Sequence, residues 1–119
     1  MTRRILGSFQ ESIMLCARDL GANAYGAKII SELRRRGWYA DNATLPVYTT
    51  IDRLRKSGLI HTENSEPVPI RGGRSRVIVT LTEEGLEALR VTAEAHRIAF
   101  ERTQSTNEQK EENSPHEAD

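Results

Sequence analysis

The stretch Val47-Tyr48-Thr49-Thr50-Ile51-Asp52-Arg53-Leu54-Arg55-Lys56-Ser57-Gly58-Leu59-Ile60 carries a helix into a strand, and its reading decides the fold. Val47, Ile51 and Leu54 recur at helical spacing and form one apolar stripe, which Gly58 ends. Thr44 or Asn42 can cap this helix, and Pro46 suits a first turn that needs no amide hydrogen. The positions turned away from the stripe are Thr49, Thr50, Arg53 and Lys56: short hydroxyls near the start, cations farther along.

Upstream, Ser8-Phe9-Gln10-Glu11 has the form of a capping box and opens a first helix, with Phe9, Ile13, Cys16 and Leu20 on one stripe and a stop at Gly21. A second helix over Tyr25–Arg36 aligns Tyr25, Ile29 and Leu33 and ends at Gly37. Its Arg34, Arg35 and Arg36 suit a helix C-terminus; solvated charge and phosphate contact both remain open for them. Downstream, strand-like runs Leu59–Thr62 and Arg76–Leu81 flank a segment with Pro67, Pro69, Gly72 and Gly73, the pattern of a hairpin with a long tip. Alternation assigns Val77, Val79 and Leu81 to the core.

Thr82-Glu83-Glu84 opens a fourth helix with a capping hydroxyl and two carboxylates at its positive end. Leu86, Leu89, Ala93 and Phe100 share one of its faces, while Ala88, Val91, Ala95 and Ile98 share the nearly opposite one. One small domain cannot bury both, so a second copy of the chain is the expected cover. After Glu101 the only apolar residue is Ala118, and residues 102–119 read as a disordered acidic tail.

Helix, helix, turn, helix, hairpin, helix is the order of a winged helix-turn-helix. The fold class is therefore mainly α with a small β-hairpin. A winged helix-turn-helix domain over 1–81 is followed by a dimerisation helix over 82–101 and a tail over 102–119. The formal net charge is zero, but that total conceals a division: residues 1–101 carry 15 Lys and Arg against 12 Asp and Glu, and residues 102–119 carry 2 against 5. A basic body suits a polyanionic partner. In the wing, Arg71, Arg74 and Arg76 around Gly72-Gly73 suit guanidinium contact with phosphates. Tyr48 reads equally as a core-edge aromatic or a phosphate donor.

Several ordered pieces carry a resemblance: Ile5-Leu6-Gly7-Ser8-Phe9, Ala24-Tyr25-Gly26, Val47 to Leu54, Lys56-Ser57-Gly58-Leu59-Ile60, Gly72-Gly73-Arg74 and Leu81-Thr82-Glu83-Glu84-Gly85. Together, over about residues 5–90, the chain resembles the PadR-family transcriptional regulators in their short form with one C-terminal helix. The resemblance implies a dimeric repressor that binds double-stranded DNA at an inverted repeat, with Thr44, Tyr48, Thr49, Thr50 and Arg53 at the recognition helix. It places Arg71, Gly72, Gly73, Arg74 and Arg76 in the wing. Dimerisation falls to Leu86, Leu89, Ala93, Phe100, Val91 and Ile98, and a small-molecule effector of undetermined identity is left open. The competing reading is a winged-helix adaptor that binds protein instead of DNA.

Other classes lack their residues. No phosphate-binding glycine loop, Gly-x-Ser-x-Gly or paired nucleophile and base occurs, so an enzyme is not expected. Cys16 is the only cysteine and falls on a buried stripe, while His61, His96 and His116 are scattered, so neither a disulfide nor a metal or cofactor site is expected. The longest apolar run, Ile13 to Ala17, is far short of the roughly 18 residues a membrane span needs. Met1-Thr2-Arg3-Arg4 leads into no signal-peptide core, and a cytoplasmic protein is expected.

Overall fold

The computed structural model describes residues 5–64 and 76–113, with side chains through Thr103. Helix α1 (Ser8–Leu20) passes through a 3-10 turn (Gly21–Asn23) into α2 (Gly26–Arg35), and a connector leads to α3 (Val47–Lys56). Strands β1 (Ile60–Asn64) and β2 (Val77–Leu81) pair antiparallel, with Ile60 opposite Leu81 and Asn64 opposite Val77. Helix α4 (Glu83–Asn113) follows. This is the winged helix-turn-helix order expected from the periodicities.

Each helix turns its apolar stripe to a common core. Ile13, Met14, Cys16 and Ala17 of α1 meet Ile29 and Leu33 of α2, Val47, Ile51 and Leu54 of α3, and Leu59, Ile60 and Val79 of the hairpin. Fully burying a side chain of the Leu or Ile class is worth roughly 1.5–3 kcal/mol, so this cluster packs the three helices against one another. Cys16 belongs to it, and burial pushes its thiol pKa up, which keeps it a protonated core group.

The second strand is held on both edges. Besides β1, it pairs with the chain just before α2: the Val79 amide donates to the Ala24 carbonyl at 2.7 Å, and Ile78 bridges Tyr25. Of the three residues expected to face the core, Val79 is buried and Leu81 half-buried, whereas Val77 is exposed. Val77 lies at the tip end of the ladder, opposite Asn64.

Two helix starts differ from expectation. The chain enters α1 through Gly7, and the Gln10 side-chain oxygen accepts from the Gly7 amide at 3.3 Å, so Ser8 is already the first helical residue and its pairing with Glu11 does not form. The cause is an anchor one residue earlier, where the buried Leu6 amide donates to Thr92 Oγ1 at 2.9 Å. At α3 the cap position is Pro46, with no side-chain cap from Thr44 or Asn42. The Thr82 cap forms as expected: its hydroxyl oxygen accepts from the Gly85 amide at 3.0 Å and its hydroxyl donates to the Gly58 carbonyl at 2.8 Å.

The fourth helix sorts its faces differently from the two expected stripes. Gly85, Ala88, Leu89 and Thr92 follow at i, i+3, i+4 and i+7 and are buried, with Val91 beside them. Thus members of both stripes lie against the same domain. Small residues explain it: a Cβ on Gly85 would sit 2.0 Å from the Leu59 carbonyl oxygen, so α4 approaches the hairpin as only glycine permits. Leu86, Ala93, Ile98 and Phe100 are left exposed. The helix also runs on to Asn113, past the expected end at Glu101. Residues 102–113 lack apolar surface, but they contain no Gly or Pro and are rich in Glu, Gln and other residues that tolerate helical geometry. Residues 114–119 lie outside the described part.

Candidate nucleic-acid interface

The apolar stripe of α3 fixes which residues it can present outward. Tyr48 is 63% exposed, and Thr49 and Arg53 are exposed with it. Among the described residues Arg53 has no ion-pair partner. Farther along, Arg55 and Lys56 share Asp52, at 2.7 and 3.0 Å, and these cations hold its carboxyl below its ordinary pKa. The outer face of α3 therefore carries more positive charge than its one carboxylate neutralises.

Thr50 does not join that face. It is 8% exposed and its hydroxyl donates back to the Pro46 carbonyl at 2.8 Å, beside the Thr50 amide that bonds the same oxygen at 3.1 Å. The outward reading of Thr50 fails because Thr50 lies beside Val47 and Ile51 on the buried stripe, and a hydroxyl bonded to its own helix does not advertise itself by spacing. Thr44 is exposed but precedes α3, in the connector.

Tyr48 is shaped by close approach. A Cβ built on Gly26 would meet the Tyr48 ring at 2.4 Å, so the aromatic ring lies directly on the first residue of α2. Its exposed remainder stands between the start of α2 and the outer face of α3. The neighbouring Tyr25 receives Arg76 from the tip side of the hairpin, just before β2, and the guanidinium carbon lies 4.3 Å from the ring centroid. Arg76 is exposed there, at the foot of β2. Arg71, Gly72, Gly73 and Arg74 fall outside the described residues.

The arginine run at the end of α2 is taken up by partners within the fold, with Arg35 exposed and Arg34 and Arg36 half-buried. Arg35 and Arg36 both donate to Glu32, and Arg36 also donates to Asp19 at 2.8 Å while its guanidinium lies 5.2 Å from the Trp38 ring centroid. With two guanidinium donors, the Glu32 carboxyl is lowered to a pKa of about 2. Arg34 bonds to main-chain carbonyls of the connector. Periodicity placed Thr49 and Arg53 outward, as they are, but misplaced Thr50 and missed Gly26 as the seat of Tyr48. A glycine immediately after the helix-start aromatic was the only available signal for that contact.

Away from this face, the exposed Leu86 borders an open groove of about 590 Å³ between the end of α1 and the hairpin, lined also by Ala17, Arg18, Ile78 and Thr80. His96 of α4 is exposed and faces Glu11 of α1, with Nε2 3.6 Å from the carboxylate.

The family described as transcriptional regulator PadR-like family matches residues 15–91. Among solved structures, the chain is similar to a PadR family transcription regulator from hypervirulent Clostridium difficile, at 21% identity and a TM-score of 0.66, over 84% of this chain and 98% of that one. It is also similar to a Streptococcus transcriptional regulator, at 19% identity and a TM-score of 0.63, over 86% and 99% of the two chains. No curated protein matches.

Proposed function

The chain belongs to the PadR-like family of transcriptional regulators, and on that premise we propose that it is a cytoplasmic, homodimeric repressor whose α3 enters the major groove of an inverted repeat while the wing follows the backbone. The observation that carries this reading is the row Tyr48, Thr49 and Arg53: exposed, on one side of a rigidly seated helix, and led by a cation without an acidic partner among the described residues. Thr49 and Arg53 read base edges, and Tyr48 with Arg76 contacts the flanking backbone. Arg71 and Arg74 supply further phosphate contacts from the tip. Thr50 supports the helix from behind.

Selection of bound fragments from genomic DNA, followed by base-protection mapping, tests the proposal. Two protected half-sites about 10 base pairs apart are expected. Absence of any salt-dependent retention of DNA contradicts it and favours the adaptor reading.

The dimer rests on α4. Leu86, Ala93 and Phe100 recur every seven residues on one exposed side, and a second chain would remove that apolar surface from water. Light scattering is expected to report about twice 13.4 kDa. Phe100→Lys should give a folded monomer. Leu89→Lys should unfold the protein instead, because Leu89 is buried within its own domain and an unpaired charge there is costly. A folded wild-type monomer at micromolar concentration overturns the dimer.

A further inference from the structure

A helix-turn-helix reads DNA only if its second helix is held at a fixed angle to the first, and the usual turn of roughly 3–4 residues does this by being short. Here the connector occupies residues 36–46 and contains no helix or strand. Such a segment has to be tied to the body to transmit any orientation, because each residue left free retains backbone entropy. Its near end is tied by Tyr39, whose hydroxyl donates to Ser12 Oγ at 3.0 Å and whose ring meets Phe9 edge-on with centroids 5.5 Å apart. A turn closes between the Ala43 amide and the Ala40 carbonyl at 2.9 Å.

The middle of the connector, three residues and more before α3, is tied by Arg34. Its Nη1 donates to the Asp41 carbonyl at 2.8 Å and its Nη2 to the Ala43 carbonyl at 3.2 Å, while the side chain is half-buried. The neighbouring Arg35 and Arg36 take carboxylates, but no carboxylate pairs with Arg34 among the described residues. One planar guanidinium thus bridges two main-chain carbonyls across the turn through two nitrogens in a fixed fork, where a lysine ammonium offers a single nitrogen. We propose that Arg34 is the positioning residue of the recognition helix: it fixes the connector from the last turn of α2 and so sets the angle at which α3 presents Thr49 and Arg53. This inference rests on the DNA-binding reading for its consequence and on the connector geometry for its cause.

Arg34→Lys in the full-length dimer keeps the charge at the end of α2, and Arg34→Gln removes it. Amide exchange in the free protein at residues 41–47 is expected to accelerate about tenfold in both variants, with α1 and α4 unchanged. Discrimination between a selected operator and random duplex is expected to fall about tenfold, while the slope of log affinity against log salt stays at the wild-type value, since Arg34 contacts no phosphate. Unchanged connector exchange overturns the proposal, and so does unchanged discrimination. A salt slope lowered by about one unit in Arg34→Gln but not in Arg34→Lys overturns it in favour of a phosphate contact. If the wild-type protein binds no DNA, the regulator reading falls, and with it the consequence proposed for Arg34. The exchange measurement then decides separately whether the tie exists.

Discussion

The last turn of α2 and the outer face of α3 each carry three cations, Arg34 to Arg36 in one and Arg53, Arg55 and Lys56 in the other, and the fold uses them in opposite ways. At the end of α2 the guanidinium groups are spent on partners of the same fold, on Glu32, Asp19 and the connector carbonyls, although Arg35 itself is exposed. In α3 the two later cations share Asp52, and Arg53 points to solvent without an acidic partner among the described residues. Charge density along a sequence therefore does not measure the charge a surface offers. What decides is how many carboxylates and unsatisfied carbonyls the fold brings within reach of each cation.

The most severe test of this contrast is Arg36→Ala. Arg36 is mostly buried, its guanidinium bonds two carboxylates, and it covers one face of Trp38. Losing it should cost about 1.5–3 kcal/mol of stability in chemical denaturation and leave the salt dependence of DNA binding unchanged. An intact stability with a weaker salt dependence would assign Arg36 to the DNA face and dissolve the contrast.

The two adjacent threonines sharpen it at finer scale. Thr50→Val removes the buried hydroxyl bond to the Pro46 carbonyl, which keeps its bond from the Thr50 amide, and should destabilise the fold by about 1 kcal/mol. Thr49→Val, at an exposed position, should shift stability by less than about 0.5 kcal/mol while altering base preference. Denaturation of both variants, paired with operator competition, separates the roles.

The smallest expected effect is a pH dependence. The folded Glu32 carboxyl has its pKa depressed from 4.5 to about 2 by Arg35 and Arg36, so its contribution is complete above the unfolded value and is lost as pH falls from about 4.5 through about 2. Glu32→Gln should flatten the acid limb of stability in that window and change nothing at neutral pH beyond a constant offset. An unchanged acid limb would show that the α2 network does not hold its charges.

Local patterns made most of the architecture legible. The α3 stripe, the stop at Gly58 and the Thr82 cap depend on residues within a few positions of one another and appear where expected, while the hairpin forms with its strands shifted and Val77 exposed. Contacts that join distant segments were not legible. The bond from the Leu6 amide to Thr92 moves the start of α1 by one residue, and Thr92 belongs to no apolar stripe. Arg34 and Thr50 carry side chains that suit an interface, and only the fold reveals that backbone carbonyls occupy them. The extent of α4 was misjudged for a different reason: lack of apolar residues argues against burial, and it does not argue against a helix.

The central claim is that α3 reads bases through Arg53 while the α2 arginines serve the fold. Titration of wild type and Arg53→Ala against a selected operator and a random duplex, over a range of salt, tests it most directly. The account predicts wild-type binding that weakens linearly on a log-log salt plot, and an Arg53→Ala protein of unchanged stability whose preference for the operator drops by about 1–3 kcal/mol. Arg53→Ala binding both duplexes as wild type does, or a wild type without salt-dependent binding, would contradict it.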